Sequence, residues 1–139
     1  MKSKKILSVI LCFVMCFAIS VPSFASNEGI MPLYTNAITV ESVFNIDENG
    51  KANVSYSCFG YEGICTGIEV EVKIQKKVFF WWTDVDGAYW TDETSEVYYA
   101  GDHNIQLNSK GTYKATVVFT VYGVSGEPDV ITNTMEKKY

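Results

Sequence analysis

Between Thr66 and Lys76 the chain alternates without a break. Ile68, Val70, Val72 and Ile74 take every second position, with Glu69, Glu71, Lys73 and Gln75 between them. Successive side chains of a strand point to opposite faces, so this run predicts a strand with one buried and one wet face. A helix would scatter the same apolar residues around its axis. Tyr113, Ala115, Val117, Phe119 and Val121 form a second long apolar face. Thr112, Lys114, Thr116 and Thr120 lie opposite, with Val118 as the exception.

Shorter alternations fill the rest. Ile38, Val40, Phe44 and Ile46 are assigned to one face, with Thr39 and Glu41 on the other. Asp47-Glu48-Asn49-Gly50 follows, and Asn-Gly is a strong hairpin signal. Ala52, Val54, Tyr56 and Cys58 alternate with Asn53, Ser55 and Ser57. Turns are expected at Gly60–Gly63, Asp86-Gly87, Ser109–Gly111 and Gly123–Pro128. Two short strands are expected within Glu96–Ala100 and Asp102–Asn108, and a last one from Val130. The sum is about seven antiparallel strands and no helix, the pattern of a β-sandwich or a small barrel. Leu107, Gly111 and Tyr113 stand where an immunoglobulin-like sandwich often carries a tyrosine corner. That fold is the expectation, without the distant cysteine pair of a strict immunoglobulin domain: Ala115 stands where the second cysteine would be.

The first residues change the setting. Lys2, Lys4 and Lys5 precede an apolar run from Ile6 to about Ile19, and Ser23 and Ala25 are small residues spaced for a signal peptidase. The run is short for a bilayer span, which takes about 20 residues, and Pro22 ends it. Residues 1–25 are therefore expected to be a cleaved secretory signal peptide. An extended arm at 26–37 and a β-sandwich domain at 38–139 follow. Met135–Tyr139 has no hydrophobic tail or sorting motif, so the mature protein is expected to be extracellular, free or held only by non-covalent contacts.

Without the leader, eight lysines face sixteen acidic residues, and there is no arginine. A net charge near −8 argues against nucleic acid and, after signal cleavage, against an anionic membrane. Cys58 and Cys65 are the cysteines that remain. Export favours their pairing as a structural disulfide across a small loop, with roughly 2–3 kcal/mol to gain. Their spacing excludes a CxxC motif, and His103 is the sole histidine, so no metal site is expected.

Candidate chemistry is sparse. Phe79–Tyr99 holds Phe79, Phe80, Trp81, Trp82, Tyr89, Trp90, Tyr98 and Tyr99, with Asp84, Asp86, Asp92 and Glu93 among them. Aromatic rings stack on sugar faces and carboxylates bond sugar hydroxyls. Packing in the core is the ordinary role of such rings. Neighbours such as Trp81-Trp82 cannot both face inward on a strand, so some rings must look outward. Trp82, Tyr89, Trp90, Asp84 and Asp86 are the candidate ligand-binding residues. Asp84, Asp86, Gly87 and Glu93 match part of a calcium loop, but Trp82 occupies its first ligand position, so a β-turn is the better reading. His103 has no evident nucleophile partner, and no catalytic residue or cofactor is expected. Asn53-Val54-Ser55 matches a glycosylation sequon by pattern alone.

Gly29-Ile30-Met31-Pro32 with Tyr34-Thr35-Asn36, Gly60-Tyr61, Ile74-Gln75-Lys76-Lys77 followed by tryptophans, Gly111-Thr112-Tyr113-Lys114 and Val121-Tyr122 run through most of the mature chain. In these it resembles a family of small exported Gram-positive bacterial proteins whose domain has no assigned function. The resemblance implies an exported β-sandwich and carries over no functional residue. The chain departs from that family at Phe79–Trp82, where serine and glycine are usual. The expectation is an exported, non-catalytic domain that binds a cell-surface or extracellular glycan or protein through its aromatic and acidic patch. A secreted antimicrobial or toxin-like effector is the alternative.

Overall fold

The computed structural model describes residues 34–139. The expected signal peptide and most of the expected arm lie outside them. Within the described residues the chain is all-β, with seven strands: β1 (Ala37–Ile46), β2 (Lys51–Gly60), β3 (Cys65–Val78), β4 (Trp81–Thr94), β5 (Tyr98–Gln106), β6 (Thr112–Gly123) and β7 (Asp129–Lys138). They form two antiparallel sheets, ordered β1-β2-β5 and β4-β3-β6-β7.

Both long alternating runs are strands with their apolar sides inward. Val70, Val72 and Ile74 of β3 pack with Ala115, Val117, Phe119 and Val121 of β6, all fully buried. Phe44, Ala52, Val54 and Cys58 close the core from the other sheet. Residues 34–139 form a compact unit with this core as its own.

The turns carry their own chemistry. Asp47 Oδ1 accepts the N–H groups of Asn49 and Lys51 at 2.9 and 2.8 Å, and Gly50 takes φ +80 to close the hairpin. At the head of β6 the Tyr113 hydroxyl donates to the Ser109 carbonyl at 2.6 Å, with the ring buried. At the opposite end Asn36 is fully buried. Its Nδ2 donates to the carbonyls of Val121 and Glu127, and Asp129 Oδ2 accepts its backbone N–H at 2.6 Å and that of Ala37 at 2.9 Å. The packed domain thus reaches back to Asn36.

Four local features differ from the sequence reading. Asp86-Gly87 does not reverse the chain. It lies inside β4, in a bulge where pairing passes from Lys73–Tyr89 to Gln75–Asp84. Gly87 at φ +72 suits a bulge as well as a turn. The reversal falls instead at Phe79-Phe80. Ile38 points to solvent, because a bulge at the start of β1 turns Ala37 inward in its place. The two short strands expected between Glu96 and Asn108 are one, β5, whose inward positions Tyr99, Gly101, His103 and Ile105 hide their period behind a glycine and a histidine. Cys58 and Cys65 are buried free thiols and are not joined.

Candidate functional site

β4 is an edge strand, and its bulge splits it into two registers. Trp82 pairs with Lys77 and Asp84 with Gln75, while beyond the bulge Tyr89 pairs with Lys73. All three side chains lie on the solvent face of the four-stranded sheet. Asp84 Oδ1 accepts a hydrogen bond from Gln75 Nε2 at 2.7 Å and lies 3.5 Å from Lys73 Nζ. The Gln75 bond lowers its carboxyl, burial pushes it up, and the charge and hydrogen bond of Lys73 leave it below the ordinary range. Trp82 is half-buried, with Lys114 Nζ 4.4 Å and Lys77 Nζ 5.7 Å from its ring centre. Tyr89 is 58% exposed. Trp82 and Tyr89 are separated by four residues along their β3 partners, roughly 13 Å of strand. Between them stands the Asp84–Gln75–Lys73 row. The result is a flat surface with an aromatic plane at each end and bonded polar groups in the middle.

The remaining candidates separate from this surface. Asp86 is exposed in the bulge. Trp90 faces the other way. It packs against the core, and its ring stacks on His103 of β5 at 4.8 Å and 2°.

His103 belongs to a cluster that closes the gap between β4 and β5, the edges of the two sheets. Its Nε2 lies 2.6 Å from Asp92 Oδ2 and 3.1 Å from the Tyr56 hydroxyl, which itself donates to Asp92 Oδ2. Burial pushes the Tyr56 phenol far up, and the Asp92 carboxylate adds to the effect. Burial also pushes Asp92 up. The bonds from Tyr56 and His103, with the histidine's charge, outweigh it and leave the carboxyl below the ordinary range. Gly101 pairs with Tyr56, and a Cβ there would fall 2.6 Å from the Tyr56 hydroxyl oxygen. The glycine makes room for the cluster. Asp92 Oδ2 takes both Tyr56 and His103, so the three groups satisfy one another, and among the described residues no serine or cysteine is bonded to them. The geometry is that of a polar clasp between sheets.

Sequence reasoning missed the clasp and the lysines around Trp82. Asp92 and His103 come together only because β4 and β5 are facing edges. The inward alternation of Tyr99, Gly101, His103 and Ile105 was the available signal for His103. Among the described residues no group of three or more His, Cys, Asp or Glu side chains could hold a metal ion.

Comparison of the chain with protein-family models, with curated proteins and with solved structures finds no match.

Proposed function

We propose that this protein is an exported, non-catalytic binding module that holds a cell-envelope or extracellular glycan on the outer face of its four-stranded sheet. The observation that carries the reading is the placement of Trp82, Asp84 and Tyr89 on one solvent-facing side of an edge strand. Two rings with polar groups between them suit an extended, uncharged polymer. The rings cover the apolar faces of sugar units, and Asp84, Gln75 and Lys73 offer acceptors and donors to hydroxyls. A flat site with open ends takes a chain rather than a small molecule. Asp86 is exposed in the adjoining bulge, outside this face. Trp90 is assigned to the core.

The scaffold reading is an immunoglobulin-like sandwich. The sheet orders and the Tyr113 bond to the backbone four residues upstream support it. Export through residues 1–25 belongs to the same proposal and rests on the charged, apolar and small-residue order of that segment.

The test is retention on purified cell walls and insoluble polysaccharides. Wild-type protein is expected in the bound fraction. Trp82→Ala and Tyr89→Ala should move it to the supernatant while keeping a folded circular-dichroism spectrum. Retention unchanged in both variants would remove this face from the account.

A further inference from the structure

The β3–β4 hairpin ends in a feature that the fold does not need. Pairing of β3 with β6 stops at Lys76–Tyr113, whereas pairing with β4 continues to Val78–Trp81. The hairpin therefore projects about three residues, roughly 10 Å, beyond the sheet. Its tip is Phe79-Phe80-Trp81, exposed by 87, 89 and 74%, with Val78 exposed beside it. Phe79 takes φ +54 at the first position of a two-residue turn. Glycine is the residue that fits there, and an aromatic side chain is strained in that backbone region. A soluble domain gains nothing for its own stability from three bare rings on a strained turn. Such an apolar, exposed tip marks a surface that meets something apolar.

The charge around the tip says what. All eight lysines of residues 26–139 lie on the half of the sandwich toward this end. Lys76, Lys77 and Lys114 stand at the hairpin's base, and Lys110, Lys137 and Lys138 come from the neighbouring loop and the end of β7. Glu62, Glu69, Glu93, Glu96 and Glu127 gather toward the opposite end. Asp47, Glu48, Asp84, Asp86 and Glu136 share the basic end but do not outnumber its lysines. A net charge near −8 thus conceals a molecule with one basic pole, so the repulsion from anionic surfaces expected of the whole chain does not apply to this pole.

We propose that the Phe79–Trp81 tip inserts into the interface of an anionic phospholipid bilayer, with the surrounding lysines against its headgroups. Phenylalanine and tryptophan are the residues that settle at the headgroup level, and lysines add attraction to anionic lipid within a Debye length. The short projection gives shallow, reversible docking rather than a span. This proposal is independent of the glycan reading: it uses the hairpin tip, not the Trp82–Tyr89 face.

The experiment is co-sedimentation of the chain lacking residues 1–25 with vesicles. One set is phosphatidylglycerol with phosphatidylcholine, the other phosphatidylcholine alone. Wild-type protein should sediment with the anionic vesicles at least tenfold more than with the neutral ones, and less as salt rises. Phe79→Gly with Phe80→Ser should reduce anionic binding at least tenfold. These substitutions sit in solvent and relieve the turn, so a wild-type melting curve is expected. Lys137→Gln with Lys138→Gln should weaken binding severalfold through a second set of residues. Absence of anionic binding would overturn the proposal. So would binding that survives loss of the tip, which would assign the pole to soluble anionic polymers instead.

Discussion

His103 Nε2 lies 2.6 Å from Asp92 Oδ2, and that contact ties the free edge of one sheet to the free edge of the other. With the Tyr56 hydroxyl on the same carboxylate oxygen, it makes Asp92 a hub of three elements. Asp92 is held below the ordinary carboxylate range of about 3.9. A carboxyl depressed in the folded state stabilises the fold above its unfolded pKa, and that contribution is lost as pH falls through the folded value. Melting temperature should therefore drop as pH falls below about 4, and Asp92→Asn should flatten that drop and remove about 1 kcal/mol at pH 7. Burial pushes Asp129 up, but the backbone bonds it accepts from Asn36, Ala37 and Thr35 outweigh this and shift it in the same direction as Asp92. The Asp129→Asn control should flatten the same window. Thermal melts across pH, in wild type and both variants, check the assignment.

The Tyr113 hydroxyl bond to Ser109 can be isolated by Tyr113→Phe, which leaves the buried ring in place. The expected loss is about 1 kcal/mol. It should appear as a lower urea midpoint with an unchanged slope.

Trp82 and Trp90 should behave in opposite ways despite their similar sequence surroundings. Trp90→Ala removes a ring that packs on the core and stacks on His103, and should destabilise by about 2 kcal/mol. Trp82→Ala loses only lysine–ring contacts on the surface, about 0.5–1 kcal/mol. Equal losses in chemical denaturation would mean that the two rings do not lie on opposite faces.

Cys58 is fully buried, and burial, with a smaller contribution from Cys65, pushes its thiol up to about 12. A thiol so rarely ionised near neutrality is a poor nucleophile. Native protein lacking residues 1–25 should resist iodoacetamide at pH 8, and the same protein unfolded without reductant should take two labels by mass spectrometry. No label after unfolding would show the two sulfurs joined.

The long strands were legible because nothing interrupts their period of two. In β3 and β6 every fully buried position is apolar, and the pattern has no competing reading. Features that depend on one backbone angle or on partner choice were not legible. Phe79-Phe80 carries no turn chemistry, so the sequence pointed to Asp86-Gly87, whose left-handed glycine forms a bulge instead. Alternation placed Trp82 and Trp90 in the same phase, and the bulge between them changes it, which put one on each face. The Tyr56–Asp92–His103 clasp joins residues 36 and 11 positions apart, across two sheets whose facing edges no local pattern reveals. The basic pole is hidden in the same way, since its lysines come from β2, β3, β6, β7 and a loop.

The central claim is that the glycan lies across Trp82, Asp84 and Tyr89, and amide chemical-shift mapping tests it most directly. The isotope-labelled domain would be titrated with soluble fragments of whichever polysaccharide retains it. The account predicts that shifts cluster on Trp82, Asp84, Tyr89 and their β3 partners Lys77, Gln75 and Lys73, with β1, β2 and β5 undisturbed. Shifts confined to the three-stranded sheet, or to the Phe79-Phe80 tip, would contradict it.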